Sequence, residues 1–296
     1  MKAILKLINI PALIGLALAQ YIIRIYVVRP FIEIAGFSLE KSTFHFFVIV
    51  LATSLIAASG FYLDGIDRLK KSKKEKTTKT PIKIFLALNV IGCAIGTFEA
   101  YLSGLTSLAF IFVMAGGLLW YYILIYKKQF FIGNLVVAFL LALNLLVVVF
   151  FEPALLFAFK AQQYVVIRTI FYICGLYALV YFLLGFLYSS TRDAVLKQDF
   201  TSNVLATKST AVFKWTLILV SAVLVGIIAK FQYTQIIGDA LEECAFVFLF
   251  VQMPLLYTIG KHYTAKHIKD YQTILNTYLL VFATSILSLI VFAYLI

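Results

Sequence analysis

The sequence predicts an all-α membrane protein with nine transmembrane helices, and three observations carry that reading. Of the 296 residues, 63% are hydrophobic and only 13% are charged, with a mean hydropathy of +1.02; a soluble domain needs about 25% charged residues to cover its surface. The apolar residues gather into nine runs, each close to the roughly 20 residues that a helix needs to cross a hydrocarbon core. Lysine and arginine alternate between abundance and scarcity from one joint to the next, which is the pattern that cytoplasmic loops leave.

The runs fall at residues 7–28, 43–63, 82–104, 106–126, 130–151, 164–187, 212–229, 241–260 and 273–295. The first is too long and aromatic for a signal peptide and is followed by no small-residue cleavage site, so it reads as a helix. Gly104 separates the third span from the fourth, and the Lys127-Lys128 pair separates the fourth from the fifth. The joints near 64–83, 127–129, 188–212 and 261–272, together with Lys214, hold seventeen basic residues, whereas the alternate joints hold only Arg29, Lys41, Lys160 and Lys230. That bias places the N-terminus and the four basic loops in the cytoplasm, with 1–296 as a single transmembrane domain. A multi-pass protein of the bacterial inner membrane is the expectation. The same topology accounts for the net charge of +12 without a nucleic-acid partner, because the basic residues are interleaved with spans and form no single face. Cys93, Cys174 and Cys244 lie inside apolar runs without metal or redox spacing and read as packing residues.

Chemistry is expected where ionisable groups collect at span ends. The second span ends in AASGFYLDGIDRLKKSKKEK, where Asp64 and Asp67 are three residues apart and share a helix face. The sixth ends in FLYSSTRDAVLKQDF, with Arg192, Asp193, Lys197 and Asp199; six residues separate the two aspartates, about 240° of helical rotation, so they do not share a face. Paired carboxylates beside a membrane suit Mg²⁺ carried with a diphosphate. They also suit ordinary juxtamembrane anchoring.

These segments resemble the UbiA superfamily of intramembrane prenyltransferases along nearly the whole chain. LINIPALIGLALAQYIIRIYVV is similar to that family's first helix, Gln20 and Arg24 included. ASGFYLDGIDRLKK stands at its first aspartate motif, YYILIYKKQFFIGNLVVAFLLAL at its tyrosine, lysine and Gly-Asn signature through Tyr122, Lys127, Gly133 and Asn134, and FLYSSTRDAVLKQDF at its second motif. HIKDYQTILNTYLL is similar to its last cytoplasmic loop.

The resemblance implies a helical bundle around a central cavity, in which two aspartate-rich regions hold Mg²⁺ and a prenyl diphosphate while a lipophilic or aromatic acceptor captures the prenyl group. It implies metal ligation by Asp64, Asp67 and Asp193 and catalytic roles for these and Asp199. Lys127, Arg192, Tyr122, Asn134, Arg24, Gln20 and Lys71 fall on the diphosphate side. The motifs are incomplete. Leu63 replaces an asparagine, Lys71 the last aspartate of the first motif, Ser189 a glutamate and Leu196 an aspartate of the second, while Asp199 is one position short of a further acid and Ala12 replaces an asparagine in the first helix. Fewer carboxylates, with a lysine nearby, weaken the hold on divalent metal. Two outcomes stay open: transfer chemistry that leans on basic residues, or a cavity that binds or moves isoprenoids and other lipids without transforming them.

Inside the spans, Arg24, Glu99 and Arg168 are ionisable and therefore site candidates. Arg168, near the start of its span, and Glu99, near the outer end of its own, read as reaching the headgroups. His45, His262 and His267 are not grouped with carboxylates in sequence and read as interfacial. The basic run from Arg68 to Lys83 reads as a solvated loop, with anionic headgroups as its alternative partner. A proton- or ion-coupled transporter is disfavoured because the deep spans are nearly free of carboxylates.

Overall fold

The computed structural model describes residues 9–39, 42–73, 80–126, 129, 131–198, 209–237 and 241–295, with the side chains of 64, 67–73, 80–81, 196–198, 209–211, 234–237 and 292–295 outside the description. Among these residues the chain is almost entirely helical and holds no strand, and nine helices are long and apolar enough to cross a membrane. The protein is an all-α, multi-pass integral membrane protein. In chain order the helices are α1 (Ile10–Ile34), α2 (Thr43–Lys73), α3 (Thr80–Leu102), α4 (Phe110–Leu124, after a 3₁₀ turn at Thr106–Ala109), α5 (Ile132–Phe150), the short α6 (Ala154–Lys160), α7 (Tyr164–Gln198), α8 (Ser209–Ile237), α9 (Leu241–Thr264) and α10 (Ile268–Leu295). All nine predicted spans are present.

Local chemistry accounts for the boundaries. At the end of α3, Gly104 takes φ +67°, and the Gly104 and Leu105 N–H groups donate back to the Tyr101 and Ala100 carbonyls, a glycine-closed helix end. Gly36 (φ +81°) closes α1 in the same way. The end of α1 differs from the sequence expectation: the helix runs past Arg29-Pro30 to Ile34. Proline has no N–H and its ring presses on the carbonyl four residues back. Here a wide π turn at Arg24–Val28 absorbs the mismatch, with the Arg29 N–H reaching the Arg24 carbonyl. A second π turn, Phe248–Gln252, precedes Pro254 in α9, where the Met253 N–H reaches the Phe248 carbonyl.

The chain divides into two compact units. The first, Met1–Val136 with Leu143–Gly175, contains α1 to α4, α6 and parts of α5 and α7. Within it α2 and α3 form an antiparallel hairpin with close backbone approach: a Cβ on Gly92 would lie 3.0 Å from the Ala52 carbonyl oxygen. Gly96 takes the ring of Phe112, and Gly116 faces Cys93 and Asn89. Small residues at such contacts are the usual means of helix association in lipid, where no hydrophobic force acts between helices. Asn89 adds donor contacts of 3.4 Å to the Ser59 hydroxyl and the Gly116 carbonyl.

The second unit, Val137–Ala142 with Leu176–Ile296, contains the middle of α5, the later part of α7, and α8 to α10. Its helices are joined by buried polar contacts. Tyr177 and Ser288 hydroxyls meet at 2.8 Å, the Tyr181 hydroxyl donates to the Phe282 carbonyl at 2.9 Å, and Thr284 donates to the Phe250 carbonyl at 2.8 Å. His262 is fully buried, with Nε2 2.9 Å from the Tyr278 hydroxyl, which also meets Ser221 at 3.3 Å. His262, expected as an interfacial side chain, is packed inside the protein and turned away from lipid and water. It faces α10 because α9 brings position 262 inward, together with Leu255 and Thr258.

Candidate functional site

The acidic positions lie at helix ends whose backbone is continuous. α2 stays helical ten residues beyond Leu63, so Asp64, Asp67 and Lys71 occupy one helical face, at intervals of three and four residues. Their side chains fall outside the described residues. α7 stays helical through Arg192 and Asp193 to Gln198, and Arg192 pairs with its neighbour Asp193 at 4.0 Å, the two side chains 13% and 33% exposed. Ser189, Ser190 and Thr191, just before them, are fully buried, so the tip of α7 emerges from packed surroundings. Lys127 and Asp199 lie outside the described residues.

The Tyr-Lys-Gly-Asn segment has a packing role that its sequence did not reveal. Tyr122 is buried in α4, and Asn134 is buried in the first turn of α5. Between them the chain turns at Phe131, which adopts φ +64°. A Cβ on Gly133 would stand 2.7 Å from the Tyr126 carbonyl oxygen and 3.2 Å from the Tyr122 ring, so only glycine permits this close return.

Gln20 and Arg24, four residues apart on α1, point into the first unit and meet partners that no local pattern announces. The Gln20 amide donates to the Asn144 carbonyl at 2.8 Å and to Asn144 Oδ1 at 3.1 Å, while Thr53 donates to Gln20 Oε1 at 3.2 Å. Asn144 returns a donor to the Leu16 carbonyl at 3.4 Å. One turn further along, Arg24 pairs with Glu152 at 3.6 Å, the two side chains 7% and 2% exposed, and lies 4.4 Å above the Phe46 ring. α1, α2 and the end of α5 are thereby tied together through groups that would otherwise be costly in lipid.

The opposite end of α2 from Asp64 carries a second polar group. The Nδ1 of His45 is 3.1 Å from the Glu99 carboxylate, which the Ser103 hydroxyl also meets at 3.2 Å. Glu99 is 2% exposed, so the expectation that it reaches headgroups is overturned: its neighbours bring the donors to it. His45, expected to stand apart from carboxylates, has one supplied by the adjacent helix. Arg168 is exposed on α7, as a snorkelling side chain requires. A cleft of about 290 Å³ opens beside this group, lined among others by His45, Ser103, Leu105, Pro153, Phe157 and Lys160.

Among the described residues, no three His, Cys, Asp or Glu side chains gather at metal-binding distance. The three cysteines are free thiols. Comparison with known proteins gives no match to a family model, to a curated protein or to a solved structure.

Proposed function

We propose that the chain is a UbiA-like membrane prenyltransferase of the bacterial inner membrane, which passes the prenyl group of a prenyl diphosphate to a lipid-soluble or aromatic acceptor. The observation that supports this most is the unbroken extension of α2 and α7. α2 is a single helix that continues past Asp64 and Asp67 to Lys73, and α7 one that continues past Asp193 to Gln198. Charges mounted on rigid helices are held in place for a ligand better than charges on loops. The two carboxylates of Asp64 and Asp67 on one face, with Lys71 a turn beyond, suit one Mg²⁺ shared with a diphosphate better than two. Such an ion supplies charge neutralisation to the leaving diphosphate.

The chain's own residues account for the remainder. Lys70, Lys71 and Lys127 neutralise diphosphate oxygens through charge-assisted hydrogen bonds. The bond between the allylic carbon and the diphosphate oxygen breaks, the acceptor's nucleophilic atom bonds to that carbon, and the acceptor releases a proton. Diphosphate leaves toward the basic loops.

A second reading, a lipid-binding or lipid-moving protein without transfer chemistry, is favoured by the ion pairs Arg24–Glu152 and Arg192–Asp193, which engage two of the cations meant for diphosphate. The test uses purified protein in lipid, a series of prenyl diphosphates of increasing chain length, and Mg²⁺, with binding and released diphosphate measured together. Transfer chemistry predicts turnover that falls about 10²-fold in Asp64→Asn or Asp67→Asn, the usual loss when one charge-stabilising group is removed. Binding without turnover selects the second reading. Neither binding nor turnover of any of them removes transfer chemistry and leaves only a protein that handles other lipids.

A further inference from the structure

The cleft at the His45 end of α2 has a charge arrangement of its own. Two of its lining residues, His45 and Ser103, contact Glu99, which is buried behind them. In the tautomer that directs Nδ1–H at the Glu99 carboxylate, His45 Nε2 is an acceptor. The imidazole is 44% exposed on its side chain, which leaves that edge accessible. The opposite character comes from α6. Lys160, its last residue, is exposed and lines the same cleft, with its ammonium 5.8 Å above the Phe157 ring.

The cleft is thus an ammonium donor on one side and a carboxylate-backed acceptor on the other. Its volume of about 290 Å³ sits at the small end of ligand sites, which run from roughly 300 Å³ upward. Leu156 and Phe157, which also line it, are 50% and 43% exposed, and Phe159 on the same short helix is 57% exposed. A seven-residue helix with three exposed large apolar side chains and a terminal lysine fits the membrane interface. The connections that frame the cleft are those poor in basic residues, so it faces the leaflet away from the cytoplasm.

We propose that this cleft binds the headgroup of an outer-leaflet glycerophospholipid that carries both a phosphate and an ammonium donor, as phosphoethanolamine does. Lys160 takes the phosphate. His45 Nε2 and the Ser103 oxygen accept from the ammonium, which Glu99 attracts from behind them. The acyl chains continue over Leu156 and Phe157 into the bilayer. A trimethylated headgroup offers no N–H to these acceptors, and a glycerol headgroup sets its phosphate on Lys160 but brings no cation toward Glu99.

Native mass spectrometry of the full chain, released from bilayers with equal shares of phosphatidylethanolamine, phosphatidylcholine and phosphatidylglycerol of matched chains, tests the assignment. Phosphatidylethanolamine is expected to be retained at least about fivefold over each of the others, the factor that one net hydrogen bond supplies. Lys160→Gln, a change at an exposed side chain, is expected to lower retention of all three lipids, since each carries the phosphate, and His45→Phe to remove the ethanolamine preference; Lys160→Arg keeps both, and Lys230→Gln, a basic change outside the cleft, leaves both untouched. Equal retention of the ethanolamine and choline lipids overturns the proposal. So does a preference for phosphatidylglycerol, or a Lys160→Gln protein that binds as the parent does.

Discussion

Arg24 and Glu152 illustrate what a buried charge does in this protein. Neither side chain has more than 7% of its surface exposed, and together they close one wall of a polar cluster that continues through Gln20, Thr53 and Asn144. Removing one partner strands the other in a medium of low polarity, which costs about 3–5 kcal/mol, whereas removing both with apolar residues of similar volume is often close to neutral. Glu152→Leu and Arg24→Met are each expected to lower the stability of the protein in mixed micelles by that amount, and the double variant by clearly less. Denaturant unfolding of all four proteins closes the cycle. Additive losses in the double variant would show that the pair is not an energetic unit. Arg24 was legible as a candidate because an arginine deep in an apolar run is conspicuous. Its partner was not, since it lies 128 residues further along, beyond the reach of any local periodicity.

At the level of helices, the contacts are set by small residues whose neighbours decide their worth. Gly92 of α3 meets the Ala52 carbonyl and the Ile56 backbone N–H and side chain of α2 at 2.9–3.1 Å from where a Cβ would stand, and backbone does not give way as a flexible side chain can. Gly92→Ala is expected to push α2 and α3 apart and cost about 1–3 kcal/mol. Gly226, inside α8, has nothing within 4 Å of that point, so Gly226→Ala is expected to be neutral or to gain up to about 1 kcal/mol from the lost glycine entropy. Thermal unfolding in one detergent compares the two, and an equal effect at both positions would refute the packing argument. The existence and order of the spans were legible because span length is imposed by the bilayer, but α2, α7 and α8 each run about eight to eleven residues past the end the apolar run marks, since a helix can continue into water where hydropathy stops. The exceptions are physical. Pro30 marks an end in sequence, yet a π turn lets α1 continue; α6 has only seven residues, too few for a periodicity to emerge.

For the whole molecule, lipid as the solvent makes the composition speak before any motif does, and each of the nine apolar runs corresponds to a membrane-length helix among the described residues. What composition does not carry is the set of pairings made across the fold. Gln20 with Asn144 and His45 with Glu99 each join residues that a linear reading treats separately, and the candidate outer cleft rests on the second of them. Sidedness is set by where the basic residues fall along the chain. Seventeen basic residues at alternate joints against four at the others set a strong preference for those joints to stay in the cytoplasm. In a variant whose three native cysteines are replaced by alanine, a single cysteine at Gln163, exposed between α6 and α7, is expected to react in intact cells with a maleimide that cannot cross membranes. One at Thr77, in the basic joint after α2, is expected to react only once the cells are opened. Should Thr77→Cys label from outside, the orientation inverts. The cleft beside His45 would then open to the cytoplasm, and its phospholipid would have to come from the inner leaflet.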